Sequence, residues 1–311
     1  MEMPFMYDKN VYGGTEYMIR TWEQLVLPHM VNMENYLCMV APGISLDVPE
    51  VIKDGRQVLL WLHNTKAQFN PVYVEKILGN PEFVKRIAKI VVPSTWHKLW
   101  TSDELNLPLD KFVVIPNAIF PLEYLPQKFE KVKQVRLINT SSAYRGLHVL
   151  MNSLKYVDAD FRLEFYNDYN PDLHFEGDQK YIDPRVRFYW KTPKRTLMEA
   201  VEEAHIFAYP STYLETFCLS LAESMSAGNL TVHPELGALP EVANGFGLSY
   251  DYLDDPDEHS RLFAEKLTEA IDKIYKGDWD PEAQVSYINE AFSWETITAK
   301  WIEFDKQLGA K

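Results

Sequence analysis

The sequence predicts an α/β protein made of two doubly wound domains with parallel sheets. Short apolar runs typical of buried strands alternate with segments of helical period along most of the 311 residues. The alternation stops between Pro116 and Gln134, where three prolines and a group of lysines interrupt any regular pattern. We therefore expect a crossing linker there, with one domain on each side.

The elements can be assigned in order on both sides of this linker. Before it, we predict strands at Tyr36–Val40, Val58–Leu62, Ile90–Val92 and Phe112–Ile115, and helices near Tyr17–Met30, Val72–Ala88 and Thr95–Leu105. After it, we predict strands at Val135–Asn139, Arg162–Tyr166, Val186–Tyr189, Ile206–Tyr209, Leu230–His233 and Gly247–Tyr250. Helices are expected at Leu147–Val157, Lys194–Ala204, about Phe217–Ala227 and about Glu258–Lys276, and Asp280–Leu308 is expected to be largely helical. In such folds ligands bind beyond the carboxyl ends of the strands, so we expect a site in a cleft between the domains.

Composition and charge restrict the class of partner. A hydrophobic fraction of 46% is enough for two cores, and the net charge of −14 opposes binding to nucleic acid or to anionic lipid. We expect no nucleic acid partner and at most peripheral membrane association. The two cysteines, Cys38 and Cys218, lie far apart, and no run resembles a signal peptide or a membrane span, which together predict a cytoplasmic protein.

The stretch "YLETFCLSLAES", Tyr213 to Ser224, carries two carboxylates where a core helix is expected to begin. Glu215 follows a buried strand and its loop, so it is expected at the start of the next helix, where capping alone would also explain an acid. Glu223 lies two turns later among apolar residues, and a buried carboxylate needs partners, which the hydroxyls of a ligand would supply. The amides of Thr216, Phe217 and Cys218 would meet an anion at the helix start.

The longer run "FAYPSTYLETFCLSLAESMSAGNLTVHPELGALPE" resembles the donor-binding region of GT-B glycosyltransferases, specifically the retaining enzymes of glycosyltransferase family four. The signature of that family is two glutamates separated by seven residues, which Glu215 and Glu223 match. The resemblance implies that the first glutamate contacts the donor sugar and the second holds the ribose hydroxyls of the nucleotide. The diphosphate would lie at the helix start between them.

The resemblance also implies an architecture of two Rossmann-like domains facing each other across a cleft. Residues 1–130 would be the acceptor-side domain with its linker, residues 131–290 the nucleotide-sugar domain, and residues 291–311 a helix packing back on the first domain. Only ten residues precede the glycine-containing stretch "VYGGTE", so the first strand is expected to be short or missing and the first domain small. The long polar loop Asn167–Pro184 is either a variable surface loop or a second substrate contact.

Three further stretches match the family. "NTSSAYRGLHVL" is similar to its loop with a basic residue before a glycine, so Ser141, Ser142 and Arg145 are candidate donor contacts. Arg145 would offer a forked cation to the diphosphate, although an arginine near a helix start can also be a solvated surface residue.

"VYGGTE" is similar to the loop through which the backbone approaches the donor, which makes Gly13, Gly14 and Thr15 candidates. "LLWLHNT" places His63 at a strand end, where the family carries a histidine beside the reacting sugar; a structural histidine is the alternative. The turn containing Trp190 and Lys191 would pass near the nucleotide base.

These features together predict a retaining glycosyltransferase. It would move a sugar from a nucleotide-diphosphate donor, such as a UDP- or GDP-sugar, to a glycan, lipid-linked or other hydroxyl acceptor, with Glu215, His63 and Arg145 as the catalytic residues. No cofactor or metal is expected, because the Asp-x-Asp pairs at Asp158–Asp160 and Asp255–Asp257 are wrongly placed for a metal site. The alternatives are a sugar-nucleotide epimerase or hydrolase and a non-catalytic sugar-nucleotide or glycan binding module.

Overall fold

A computed structural model describes residues 5–6, 14–41, 55–68, 80–167 and 183–310. The chain divides into two compact units. The first comprises Met1–Ala118 and Phe292–Lys311, and the second comprises Ile119–Ala291. Each unit contains a parallel sheet with helices, which confirms the predicted α/β class.

The first unit contains a five-stranded sheet in the order β1-β2-β3-β4-β5, with every neighbouring pair parallel. The strands are β1 (Phe5–Met6), β2 (Tyr36–Ala41), β3 (Gln57–Leu62), β4 (Ile87–Val92) and β5 (Phe112–Val114). The helices are α1 (Gly14–Leu25), α2 (Pro81–Arg86), α3 (Thr95–Leu105) and, from the end of the chain, α10 (Trp294–Gly309). Two residues of the first strand, Phe5 and Met6, are among the described residues. The five residues Val58–Leu62 of β3 are all buried, as expected for a parallel strand covered on both faces.

The second unit contains a six-stranded parallel sheet in the order β11-β10-β9-β6-β7-β8. Its strands are β6 (Val135–Asn139), β7 (Phe161–Asn167), β8 (Val186–Trp190), β9 (Ile206–Ala208), β10 (Leu230–Pro234) and β11 (Leu248–Tyr250). Its helices are α4 (Leu147–Ser153), α5 (Lys194–Glu203), α6 (Leu219–Ser226), α7 (Leu239–Ala243), α8 (Pro256–Lys276) and α9 (Glu282–Phe292), the last of which ends at the boundary between the units. Helices α4 and α8 pack on one face of this sheet.

The order of the strands locates a crevice in the second unit. Counted within the unit, the chain runs outward from β6 through β7 to β8, then crosses over to β9 and runs outward through β10 to β11. The winding therefore reverses between β6 and β9. In doubly wound sheets the loops at the carboxyl ends of two such strands diverge and leave a ligand crevice.

The bounds of several helices differ from those predicted. The helix that follows β9 begins at Leu219 rather than at Glu215 or Phe217. The helix expected over Val72–Ala88 ends at Arg86, because Ile87 already belongs to β4; residues 72–79 lie outside the described residues. The first helix ends at Leu25 instead of Met30, and the short helix α7 was not predicted.

Within the described ranges, no helix is both long enough and apolar enough to cross a bilayer. Most of the polar loop Asn167–Pro184 lies outside the described residues.

Candidate nucleotide-sugar site

The loops that follow β6 and β9 are tied to each other by main-chain and amide hydrogen bonds. Asn139, the last residue of β6, donates from Nδ2 to the carbonyl of Ala208 at 2.8 Å and accepts from the amide of Ser141 at 2.9 Å. Farther along, the amide of Thr212 donates to the carbonyl of Arg145 at 3.0 Å. The two loops that flank the reversal of the sheet are therefore held in a fixed arrangement.

Gly146 lets these loops approach each other closely. A Cβ atom at this position would lie 2.2 Å from the carbonyl oxygen of Pro210, and the φ angle of Gly146 is +129°. Only glycine avoids both the collision and the backbone strain. The glycine predicted to follow the basic residue thus has a steric reason, and α4 begins directly after it, close to the predicted helix start.

An ion pair between Arg145 and Glu215 lies where the two loops meet. Nη1 of Arg145 is 2.8 Å from Oε1 of Glu215, and the hydroxyl of Tyr209 donates to the same carboxylate oxygen. The Ser141 hydroxyl donates to the oxygen of Tyr209 at 3.2 Å, so four side chains form one chain of hydrogen bonds. Glu215 is buried, whereas 29% of the Arg145 side chain is exposed.

The electrostatics of this cluster fix its protonation. Burial opposes the charge on Arg145, but the Glu215 carboxylate more than offsets it and raises the pKa of Arg145 above its ordinary value. Burial, reinforced by Glu215, raises the pKa of the Tyr209 phenol. The guanidinium thus stays charged, and Tyr209 stays a neutral hydrogen-bond donor.

Aromatic side chains orient the guanidinium of Arg145. Its central carbon lies 4.3 Å from the centre of the Tyr213 ring, and Nε donates to the hydroxyl of Tyr144 at 3.3 Å. Burial raises the pKa of Tyr213 to about 12, so this ring carries no competing charge. Arg145 is therefore a positioned cation rather than a freely solvated surface residue.

The loop after β10 closes against Glu215 from a third side. The amide of Ala238 donates to the carbonyl of Glu215 at 2.8 Å. Gly237, whose φ is +61°, packs so tightly here that a Cβ atom would lie 2.5 Å from the same carbonyl oxygen. The loop after β10 thus fixes the backbone of Glu215, while Arg145 from the loop after β6 holds its side chain.

The residues between Glu215 and α6 differ from the expected helix start. Cys218 is the residue before the first helical turn and has a left-handed backbone, with a φ of +82°. Thr216, Phe217 and Cys218 are buried and precede the helix instead of forming its first turn. Burial, together with Glu215, raises the pKa of the Cys218 thiol, so it is a neutral thiol and a weak nucleophile.

Glu223 has a partner that the sequence did not indicate. Nζ of Lys194, the first residue of α5, lies 2.5 Å from Oε1 of Glu223. The Glu223 side chain is 12% exposed and that of Lys194 is 48% exposed, so both side chains are in contact with solvent. Glu223 is therefore an accessible carboxylate held next to a lysine.

Trp190 and Lys191 lie at the end of β8, where the turn was expected to pass near the base. Trp190 is exposed, and Nζ of Lys191 is 5.3 Å from the centre of its ring. Lys191 has a φ of +50° and donates its amide to the carbonyl of Asn167 at 3.2 Å. Ser142 accepts the amide of Arg145 at 3.0 Å and so closes the turn before Gly146.

The remaining predicted residues belong to the first unit. His63 follows β3 directly, is buried, and lies 4.8 Å from the ring of Trp61, centre to centre. Burial, and then the neighbouring His97, lower the pKa of His63 to about 3, so the imidazole is neutral at pH 7. Gly14 and Thr15 form the first turn of α1, and Gly13 lies outside the described residues.

Sequence reasoning missed Tyr209, Tyr213 and Lys194. Tyr209 was predicted only as the end of a buried strand, and Lys194 only as the start of a helix. The two tyrosines could have been predicted from their place in the sequence, because Tyr209 and Tyr213 both lie between β9 and Glu215.

Within the described part of the chain, no group of three or more carboxylates, histidines or cysteines could hold a metal ion. The Asp255–Asp257 pair has another role, because Asp255 caps α8 by accepting the amides of Asp257 and Glu258.

The comparison with protein families agrees with this geometry. Residues 127–294, more than half of the chain, match the model of the family "Glycosyl transferases group 1". The chain belongs to this family. The matched range contains every strand of the second unit and the Arg145–Glu215 pair.

Known members of the wider group are similar to this chain at low identity. One polypeptide of the human phosphatidylinositol N-acetylglucosaminyltransferase is 24% identical over 195 residues, which is 60% of this chain and 39% of that polypeptide. The Escherichia coli O-antigen chain mannosyltransferase B is 26% identical over 225 residues, 65% of this chain and 56% of that protein. The chain thus spans less than two thirds of the length of either relative.

A solved structure shares the fold along nearly the whole chain. The Anabaena protein HepE, solved in complex with UDP-glucose, superposes with a TM-score of 0.67 over 97% of this chain and 98% of its own, at 13% identity. The group 1 glycosyltransferase thus has the GT-B fold that the sequence indicated.

Proposed function

We propose that this group 1 glycosyltransferase transfers a hexose from a nucleotide-diphosphate donor to a hydroxyl acceptor, with retention of anomeric configuration and without a metal. The observation that carries the proposal is the Arg145–Glu215 pair at the reversal between β6 and β9. A ligand crevice is expected at this place in a doubly wound sheet, and it contains a fixed guanidinium and a fixed carboxylate.

The two charges have complementary tasks. The exposed part of the Arg145 guanidinium binds the diphosphate. There it stabilises the negative charge that develops as the bond between sugar and diphosphate breaks, which is catalysis by a preorganised cation. Glu215 has one oxygen bound by Arg145 and Tyr209, so its other oxygen accepts a hydroxyl of the donor sugar. The segment Thr216–Cys218 provides the main-chain contacts to the phosphates.

Glu223 is assigned to the ribose. Its position in α6 is solvent-accessible, and a carboxylate accepts two vicinal hydroxyls. Trp190 and Lys191 at the end of β8 are assigned to the nucleotide base, since they are exposed beyond the carboxyl end of a strand.

Retention is taken in this proposal from the resemblance to the retaining enzymes of glycosyltransferase family four. A carboxylate oxygen that already accepts from a guanidinium and a phenol is a poor nucleophile, so no covalent sugar–enzyme intermediate on it is proposed. The acceptor hydroxyl instead attacks from the face that the diphosphate leaves, and the departing phosphate takes its proton. His63 in the first unit, a neutral imidazole, is assigned to a substrate hydroxyl, and Gly14 and Thr15 stay predicted donor contacts.

The names of the relatives support a hexosyl donor. Those proteins transfer N-acetylglucosamine and mannose, and HepE was solved with UDP-glucose. A thermal-shift panel of UDP- and GDP-sugars tests this first, because a bound donor raises the melting temperature by mass action.

Activity is tested with the donor that gives a shift, a panel of glycan and lipid-linked acceptors, and the Glu215→Gln variant. We expect transfer with retention, seen by NMR of the product anomer, and a fall in kcat of about 100-fold in Glu215→Gln, the usual size of losing one polar catalytic group. Glu203→Gln is the control, since Glu203 forms an exposed pair with Arg136. Equal transfer by Glu215→Gln and wild type would refute the assignment.

The two alternatives give different results in the same assay. An epimerase or hydrolase would convert the donor with no acceptor present. A binding module would show a thermal shift but no conversion of donor with any acceptor.

A further inference from the structure

A basic cavity lies at the opposite end of the second unit from the candidate site. It has a volume of about 520 Å³ and is lined by Lys128, Glu130, Lys131, Val132, Lys133, Gln134, Arg136, Arg162, Glu164 and His205. Arg136 and Arg162 are the second residues of β6 and β7, and His205 directly precedes β9. The cavity is therefore at the amino ends of these strands, whereas Arg145 and Glu215 follow carboxyl ends.

The charge of this cavity contrasts with that of the whole protein. Five of its lining residues are cationic and two are carboxylates, in a chain of net charge −14. A local excess of positive charge on an acidic protein concentrates small anions at that place.

The two arginines are largely paired. Arg162 lies 3.0 Å from Glu164, and Arg136 pairs with Glu203 at 2.6 Å and lies 3.7 Å from Glu164. Nη2 of Arg162 also donates to the hydroxyl of Tyr189 at 2.9 Å, and its buried Nε has no hydrogen-bond acceptor within the described residues. The arginines thus form a wall of the cavity that neighbouring carboxylates hold in place.

Lys128 forms the floor of the cavity and is not free to bind a ligand. Its ammonium donates to the carbonyls of Glu202 and Ala227 and to Oδ1 of Asn229 at 2.9, 2.8 and 2.7 Å. Burial lowers the pKa of Lys128 to about 7. This lysine therefore holds the local structure together.

The available charge comes from Lys131 and Lys133. Both are exposed, and neither makes an ion pair or hydrogen bond to any part of the chain that the structure describes. Lys131 also has a left-handed backbone with a φ of +50°, which is unfavourable for a residue with a long side chain. A strained cation without a partner, at the rim of a basic cavity, indicates a binding role.

We propose that this cavity is a second anion site, which binds a small ligand carrying a phosphoryl group. Lys131 and Lys133 would neutralise the phosphoryl charge, next to the partly exposed guanidinium of Arg162 in the cavity wall. Phosphate oxygens suit this set because they are acceptors only and carry more than one charge. The proposal does not depend on the function assigned to the other end of the sheet.

A soluble phosphate fits the cavity better than a membrane surface. Val132 is the one apolar residue among the ten that line it, and it packs partly against the core. Membrane-binding surfaces combine basic residues with exposed apolar side chains that enter the lipid, and this rim offers none among its lining residues.

The test compares two double variants by calorimetric titration with inorganic phosphate. Lys131→Asn with Lys133→Gln removes both rim charges, and asparagine tolerates the left-handed backbone. Lys266→Gln with Lys276→Gln removes the same charge from α8, where both lysines pair with carboxylates. We expect the rim variant to weaken phosphate binding at least tenfold and the α8 variant to change it less than twofold, with both melting as the wild type does.

Three outcomes would overturn the proposal. They are an absence of phosphate binding by the wild type, equal binding by the two double variants, and loss of binding when Arg145→Lys is introduced, which would place the phosphate at the candidate site instead. A parallel sedimentation assay with phosphatidylserine vesicles separates the sources of phosphate. Vesicle binding that requires Lys131 and Lys133 would overturn the assignment to a soluble ligand.

Discussion

The hydroxyl of Tyr209 connects Ser141 with Glu215 and helps to hold the carboxylate in the candidate site. Tyr209→Phe keeps the ring and removes only the hydroxyl, with its hydrogen bonds to Ser141 and Glu215. A hydrogen bond to a charged group is worth about 1.5–3 kcal/mol, so kcat is expected to fall about 10- to 100-fold if the contact acts in the transition state. Steady-state kinetics with a fixed acceptor measure the effect.

Tyr166→Phe is a matched control for this variant. Its hydroxyl also donates to a buried carboxylate, Glu164 at 3.1 Å, but at β7 and away from the candidate site. Retention of full activity by Tyr209→Phe, or an equal loss in both variants, would show that Tyr209 has no specific role.

A second effect at the residue scale concerns His97, which is fully buried in α3. Burial lowers the pKa of His97 to about 4, against 6.5 in an unfolded chain, so the unfolded state binds the extra proton. Stability is therefore present above pH 6.5 and is lost as the pH falls from 6.5 towards 4. Between pH 7 and pH 5 this one histidine should cost about 2 kcal/mol of unfolding free energy.

His97→Gln removes this titrating group and its effect on the pKa of His63, and glutamine can still donate to the carbonyl of Asn64, which His97 contacts through Nε2 at 3.1 Å. Denaturant titrations at pH 7 and pH 5 should show a smaller loss in the variant than in the wild type. Parallel losses in the two proteins would contradict the assignment, since all other titrating groups are shared.

The sequence predicted which residues belong to the candidate site better than it predicted which of them pair with each other. Arg145, Glu215 and Glu223 were selected by motif, but their partners come from loops distant in the chain. Lys194 is 29 residues from Glu223 and Arg145 is 70 residues from Glu215. Pairing over such distances depends on the relative placement of strands, which local pattern does not contain.

At the scale of elements, Gly146 holds the loop after β6 against the loop after β9. Gly146→Ala combines backbone strain at positive φ with a collision against Pro210. The cost is expected to be about 2–4 kcal/mol, and donor binding should be lost in any protein that still folds. Urea unfolding and donor-induced thermal shift measure the two effects.

Gly277→Ala separates the effect of backbone strain from the effect of the collision with Pro210. Gly277 ends α8 with a φ of +72° and has open space around its Cβ position, so only the strain applies there, about 1 kcal/mol. If the two alanine variants lose the same stability, the close approach to Pro210 is not important.

The predicted strands were accurate because parallel strands are apolar on both faces. Val135–Asn139 was correct to the residue, and most others differ by one or two residues at an end. The start of α6 was misplaced because Cys218 caps it with a left-handed backbone and no side-chain hydrogen bond. No capping residue marks that start in the sequence.

At the scale of the whole molecule, α10 at the end of the chain belongs to the first unit. Asp305 is buried there and accepts the amides of Val31, Asn32 and Met33 at distances of 2.9–3.2 Å. Trp301 of the same helix packs against Trp22 at 5.3 Å between ring centres. A helix that follows the whole second unit therefore stabilises the first.

Asp305→Ala tests this contribution. Three buried or half-buried amides would lose their acceptor, which should lower the unfolding free energy of the first unit by about 2–4 kcal/mol. Glu303→Gln in the same helix is the control, because Glu303 is exposed. Calorimetry should show the lower-melting transition in Asp305→Ala alone, and unchanged melting would mean that α10 does not stabilise this unit.

The central claim is that a nucleotide diphosphate binds the second unit where the winding reverses between β6 and β9. A crystal structure of the protein with UDP or GDP tests it most directly. The account predicts phosphate oxygens within hydrogen-bond distance of the Arg145 guanidinium and of the segment Thr216–Cys218, with the ribose hydroxyls on Glu223. A nucleotide bound elsewhere, with Glu223 still paired only with Lys194, would contradict it.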